Sequence, residues 1–251
     1  MHLHIDCDSM VYQIGFSCQD KESGQVEPLP HVLATVKSSL NKILESVPGV
    51  TGHSIYLTGR DNFRNEIYPE YKANRTAAKP LLYHVIRTYL EEVHNAIVVD
   101  GMEADDAVAI ALTNDKDAVC VSMDKDLLTV PGWHLHPKKL EEGLLYVTEY
   151  EAYKRFYTQL LCGDATDNIR GVGMLPQTVR ERFSLPKRKG VGERSAEIIF
   201  AEAKGRAELE SLAISCYGDR WLSDGIRNAR LLHMTRELRD GKPVLWEPLP
   251  V

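Results

Sequence analysis

Four short apolar runs in the first half of the chain stop at polar or acidic residues, and helix-like segments separate them. His2 to Ile5 ends at Asp6, and Ser54 to Leu57 ends at Thr58-Gly59. Ala96 to Val99 leads into Gly101 and three acids, and Ala118 to Val121 leads through Ser122-Met123 to Asp124-Lys125-Asp126. Between them, Val32 to Leu44 and Leu81 to Val93 carry apolar residues at helical spacing. Alternating strand and helix predicts an α/β fold with a mostly parallel central sheet flanked by helices. Chemistry in such sheets sits beyond the carboxyl ends of the strands, and these acids fall there.

The densest of these clusters is G-M-E-A-D-D-A-V-A-I-A-L, Gly101 to Leu112. Acids in a first helical turn are favoured by the helix dipole by about 0.3–1 kcal/mol each, so capping alone accounts for one or two of them. A third close neighbour adds repulsion. On a helix Glu103 and Asp106 share a face while Asp105 points about 100° away, which spreads oxygens over an arc. Carboxylates that close cannot all stay ionised in a dry cleft without cations, and hard oxygen donors suit Mg²⁺ or Mn²⁺ better than zinc. For Asp124 and Asp126 a solvated turn with one capping aspartate is the competing reading.

At 251 residues the chain is long enough for one large domain, or a main domain with a smaller one. No apolar run approaches the ~20 residues that span a bilayer. The M-H-L-H-I-D-C-D start has charge where a signal peptide is apolar, which gives a cytoplasmic expectation. Five scattered cysteines without a C-x-x-C pair indicate neither a disulfide framework nor a cysteine zinc site. The net charge of −6 weighs against a polyanionic partner only if the acids are spread evenly.

Two more strand-like pieces follow, Trp133 to His136 and Leu144 to Thr148, and then the chain becomes helical from Tyr150 to Leu161. That helix runs into C-G-D-A-T-D-N-I-R-G-V-G, Cys162 to Gly173, where Asp164 and Asp167 are spaced to face one way. K-R-K-G-V-G-E-R-S-A-E-I-I, Lys187 to Ile199, places a second G-V-G before a helix start, where backbone can approach a phosphate. Either copy alone is weak evidence, and a plain loop is the more ordinary reading of each. Ser223 to Arg236 reads as an amphipathic helix with Arg227 and Arg230 exposed, packing back on the sheet.

Taken together these residues resemble the 5′-nuclease or flap endonuclease superfamily, which includes the nuclease domain of bacterial DNA polymerase I and small phage 5′→3′ exonucleases. I-D-C-D-S-M-V-Y (Ile5 to Tyr12) is similar to its first strand, and N-F-R-N-E-I-Y-P-E-Y-K-A-N-R (Asn62 to Arg75) to the basic entry to its helical arch. M-E-A-D-D, S-M-D-K-D-L and G-D-A-T-D-N-I-R-G-V resemble its three acidic clusters, in order, over residues 3–205. The resemblance implies a PIN-like nuclease domain over residues 1–150, with an arch at about 62–95. It also implies a helical DNA-binding region over 151–251 containing a helix–three-turn–helix element. It implies a two-metal phosphodiesterase: Glu103, Asp105 and Asp124, with Asp6 and Asp106 partly through water, hold one Mg²⁺, and Asp126, Asp164 and Asp167 hold the second. Mn²⁺ is expected to substitute. Lys72 and Arg75 match the pair that contacts the scissile phosphate, so the catalytic candidates are Lys72, Arg75, Asp124 and Asp126. Candidate DNA contacts are Arg64, Tyr71, Lys72, Arg75, Arg170, Gly190, Gly192 and Arg194, with Phe63, Tyr68 and Tyr71 available for stacking. The expected partner is DNA with 5′ ends, flaps or nicks, or an RNA–DNA hybrid, bound by a monomer. A K⁺ at the G-V-G turn is a further implication. Taking the eight proposed ligand acids out of a net −6 leaves +2, so the charge balance no longer opposes nucleic acid.

Three features depart from the family pattern. Thr58-Gly59 stands where many relatives carry an aspartate, and Asp61 is out of step with it. The segment from Arg75 to Glu103 is short for a large arch, and Met174 to Lys189 is an extra stretch between the two G-V-G copies. The competing functions are a PIN-type endoribonuclease and a non-catalytic DNA-binding protein. His2-Leu3-His4 also imitates an amidohydrolase H-x-H, although alternate histidines on a strand are ordinarily one sheet face.

Overall fold

The computed structural model describes residues 1–20 and 22–250. Six strands, β1 (His2–Asp6), β2 (Gly52–Thr58), β3 (Ile97–Val99), β4 (Val119–Val121), β5 (Gly132–Leu135) and β6 (Leu145–Val147), form one sheet in the order β3-β2-β1-β4-β5-β6. Neighbours run parallel except β5 and β6, which are antiparallel. The chain builds outward from β1 first to one side and then to the other, so the order reverses between β1 and β4. Asp6 closes β1 and Asp124 follows the end of β4, at the position where open α/β sheets leave a crevice.

Strand side chains alternate between the faces. Leu3, Ile5, Ile55, Leu57, Val119 and Val121 enter a core with α1 (Asp8–Ser17), α2 (Leu29–Ser46) and α4 (Tyr83–His94). Tyr56 and Cys120, one residue out of phase, enter the opposite core with α5 (Ala104–Asn114). α2 meets the sheet through Val32, Val36, Leu40 and Ile43, the stripe that its periodicity predicts.

The expected arch at 62–95 is not formed as such. After α3 (Phe63–Ile67) and a run of turns, Ala73 to Lys79 form a continuous exposed stretch, and Pro80 is buried. α4 is not free-standing, because Ile86 and Leu90 are fully buried in the sheet core. What remains above the strand ends is a short loop.

A second core assembles α6 (Glu149–Cys162), α7 (Gln177–Arg182), α8 (Glu193–Ile199), α9 (Arg206–Tyr217) and α10 (Ile226–Leu232) around Phe156, Tyr157, Phe200, Tyr217, Trp221 and Trp246. α6 starts with a capping box in which Thr148 and Glu151 bond each other's backbone N–H. A backbone bond from Gly190 N–H to the Gly173 carbonyl, 2.9 Å, brings the two G-V-G copies side by side. Residues 174–189 therefore leave and re-enter at one point, as a closed excursion carrying α7. The amphipathic segment at 223–236 is helical to Leu232, as the end of a π-helical turn over Trp221–Gly225 followed by the α-helix Ile226–Leu232, and beyond it Met234 enters the core under α5. Among the described residues, no helix is long and apolar enough to cross a membrane.

Candidate active site

Asp6, at the end of β1, accepts from Asp8 N–H at 3.1 Å and from the Ser122 hydroxyl at 3.0 Å. Burial, followed by the charge on Asp8, pushes its carboxyl up to about 7. From the end of β4, Asp124 N–H bonds Ser122 Oγ at 2.9 Å, and Asp124 accepts from Asp126 N–H at 2.8 Å. Asp124 thus caps the short helix Lys125–Thr129, as the capping reading expects. Asp126 is also pushed up to about 7, by burial and then by Asp124 and Asp164.

The turn after β3 delivers Glu103, Asp105 and Asp106, whose oxygens lie within 4.8 Å of one another. Burial and then Glu103 and Asp106 drive the Asp105 carboxyl well above the usual range. For Glu103, burial opposes ionisation, but Lys72 and Arg64 prevail and hold its carboxyl below the usual range. The third cluster depends on two glycines. Gly163 pairs with Arg170, and a Cβ on Gly171 would lie 2.2 Å from the Leu161 carbonyl oxygen. This close approach makes a tight ladder whose loop bears Asp164 to Asp167. Asp164 accepts from Thr166 N–H at 2.7 Å and Asp167 N–H at 3.2 Å.

Tyr71 and Lys72 join the clusters. The Tyr71 hydroxyl lies 2.8 Å from Glu103 and 2.9 Å from Asp167, while Lys72 Nζ bonds Glu103 and lies 3.6 Å from Asp167. Lys72 is in the left-handed region at φ 55°, held there by its N–H on the Asp167 carbonyl at 3.1 Å. Arg75 reaches Asp167 at 2.5 Å and is half exposed. Beside Asp126 and Asp164 opens a cleft of about 610 Å³ that Lys125, Lys154 and Arg155 also line. The site therefore presents ionisable oxygens flanked by cations at the mouth of a cleft.

The family model described as 5′-3′ exonuclease, N-terminal resolvase-like domain, matches residues 2–155. The chain belongs to this family. A 5′-3′ exonuclease of Buchnera aphidicola (subsp. Schizaphis graminum) is 30% identical over 186 residues, 67% of this chain and 64% of that protein. One from Bacillus subtilis is 26% identical over 205 residues, 72% of this chain and 62% of that protein. The chain thus spans somewhat under two thirds of these relatives. A bacteriophage T5 5′-exonuclease structure with bound zinc superposes with a TM-score of 0.57 at 16% identity, covering 92% of this chain and 89% of that one. The two share the fold.

Against the family pattern, the structure places Asp6, Glu103, Asp105, Asp124, Asp126, Asp164 and Asp167 at the strand ends and the adjoining ladder, with Lys72 and Arg75 beside Glu103 and Asp167. Two expectations, for Arg64 and Tyr71, are corrected. Arg64 is not a DNA contact: it is fully buried, holds Asp106 with two bonds of 2.5 and 2.8 Å, and donates to the Leu231 carbonyl at 2.7 Å. Asp106, within 4.8 Å of the Glu103 and Asp105 oxygens, also accepts from Thr235 N–H at 2.9 Å and Glu103 N–H at 3.2 Å. Tyr71 offers no stacking face, since it is buried with its hydroxyl between two carboxylates. Arg170, Gly192 and Arg194 are exposed on the second core's surface with Gly190.

Sequence reading overlooked three residues. Asp8 turns its carboxylate to Thr58 N–H, at 3.1 and 3.2 Å, and to Arg87 at 3.3 Å. It thus brings a carboxylate to the end of β2, where the chain has a threonine. The I-D-C-D spacing was the available signal. Gln159 Nε2 approaches Asp164 at 3.5 Å and its Oε1 is buried without a partner. Arg87 had no signal beyond helical spacing.

Proposed function

We propose that the chain is a divalent-metal-dependent phosphodiesterase that hydrolyses DNA from 5′ ends, flaps or nicks. The observation that carries this reading is the convergence of three acidic clusters, two of them bridged by Tyr71 and Lys72, at the reversal point of a mostly parallel sheet. The donor set fits the metal: all-oxygen, carboxylate-rich, with Asp6, Asp105 and Asp126 held towards protonation by burial and mutual repulsion that a cation relieves. Glu103, Asp105 and Asp124 with Asp6 would hold one Mg²⁺, and Asp126, Asp164 and Asp167 the other, Mn²⁺ serving in their place. Bound there, two such ions supply activation of water and neutralisation of phosphate charge.

The remaining work falls to the chain's own groups. Lys72 and Arg75 sit on carboxylates without closing the cleft, so each can turn a donor to a phosphate oxygen and stabilise charge that develops on it. Tyr71, with its hydroxyl shared between Glu103 and Asp167, fixes the spacing of two clusters. The short exposed loop Ala73–Lys79 favours short 5′ ends over long threaded flaps. Arg180, Arg188 and Arg194 flank the G-V-G turn and oppose a K⁺ there. The test is a substrate panel labelled at the 5′ or 3′ end: nicked duplex, 5′-flap duplex, RNA–DNA hybrid and structured RNA. Short products from the 5′ label of DNA, in Mg²⁺ only, support the reading. Cleavage confined to structured RNA would replace it with an endoribonuclease.

A further inference from the structure

α6 has two faces. Phe156, Tyr157, Leu160 and Leu161 enter the second core, while Glu151, Lys154, Arg155, Thr158, Gln159 and Cys162, at helical spacing, line the cleft beside Asp126 and Asp164. One member of this polar stripe is not simply solvated. Gln159 Nε2 donates to Asp164 Oδ2 at 3.5 Å. Burial and the charge on Asp124 push the Asp126 carboxyl up, and a hydrogen bond from the same Gln159 side chain pulls it back. The amide cannot sit the other way round, because its oxygen would then face a carboxylate oxygen. Oε1 is thereby left buried, with no partner among the described residues.

A buried acceptor without a donor carries a desolvation penalty, and the donor side of this amide makes only a long contact. The side chain is set for a group that completes it. An orphan acceptor calls for a donor, and two neighbouring acids call for a cation. A hydrated divalent ion supplies both, since Mg²⁺ keeps several waters and those waters donate. We propose that Gln159 is a positioning residue of the Asp126–Asp164 ion site, its NH₂ group spacing the two carboxylates and its carbonyl accepting from a water of the hydrated ion. The assignment rests on the divalent-metal reading above. Asp126 and Asp164 come from separate elements, the short helix Lys125–Thr129 and the ladder of Gly163 with Arg170, and Gln159 is the α6 side chain that joins them. A neutral amide suits this place. It orders both acids yet leaves their negative charge to the ion, as a lysine or arginine would not.

The experiment titrates Mn²⁺ into the metal-free protein by calorimetry and EPR, and follows thermal unfolding without ion and in Mg²⁺. Wild type is compared with Gln159→Met, which keeps length and shape, and with Gln159→Asn, which withdraws the amide by one methylene. Gln159→Met is expected to weaken one of two classes of Mn²⁺ site about tenfold or more and to leave the other unchanged. Without ion it should unfold at or above the wild-type Tm, because the orphan acceptor is gone, while the Tm gain in Mg²⁺ shrinks. Gln159→Asn should show a smaller loss of Mn²⁺ affinity at the same site. Unchanged affinity at both sites, or equal weakening of both, overturns the proposal and leaves the nuclease reading standing. So does a lower ion-free Tm with an undiminished gain in Mg²⁺, the mark of a packing role alone. Absence of any Mn²⁺ binding by the wild type would overturn the metal reading itself, and this assignment with it.

Discussion

Arg64 shows how one residue type can mislead and then inform. Its place among Phe63, Tyr68 and Tyr71 reads as a stacking and phosphate surface, yet a buried guanidinium with a carboxylate and two carbonyls for partners is a structural clamp. It ties α3, α5 and the returning segment at 231–235 together. Removing one member leaves a buried charge unpaired, so Arg64→Met or Asp106→Asn is expected to cost about 3–5 kcal/mol in thermal or denaturant unfolding. Arg64→Met with Asp106→Leu should cost less than the sum of the two, and strictly additive losses would contradict the clamp. Lys72 differs, being partly exposed and set against Glu103. Lys72→Met is expected to lower kcat about 10²-fold with a native-like unfolding transition. Retained kcat would remove Lys72 from the reaction.

At the scale of elements, the ladder around Asp164 has the strictest geometry. A Cβ at Gly171 would meet backbone atoms of Leu161, Cys162 and Gly163, which cannot swing aside. Gly171→Ala should therefore lower Tm and weaken divalent-ion binding together, and a full-affinity, wild-type-stable variant would show that the ladder does not set the site. Much of this level was legible beforehand. Strands ending in Asp6 and Ser122-Met123-Asp124, and the stripes of α2 and α4, follow from local periodicity. What could not be read was tertiary. Nothing local says that Ile86 and Leu90 lie on the sheet and not in an arch, or that Gly173 and Gly190 meet across sixteen intervening residues. The carboxylate of Asp8 likewise reaches β2 only because α1 begins directly above it.

At the scale of the molecule, two cores meet along a crevice whose acids are not fully ionised without cations. Asp6 and Asp126, raised to about 7, favour the fold when protonated. That contribution is complete below the ordinary carboxylate value of about 4 and is lost as pH rises through about 7. A divalent ion competes with those protons, so the Tm gain on adding Mg²⁺ should be small near about pH 5 and grow towards about pH 8. A gain that is flat or falls with pH would contradict the site. The most direct measurement of the central claim incubates 5′-labelled duplex and flap DNA with the wild-type protein and an Asp124→Asn plus Asp126→Asn variant, in Mg²⁺ and in chelator. Short 5′ products from the wild type in Mg²⁺ alone, with none from the variant, are the predicted result. Equal cutting by the variant, or cutting in chelator, would contradict a metal-dependent reaction at these carboxylates.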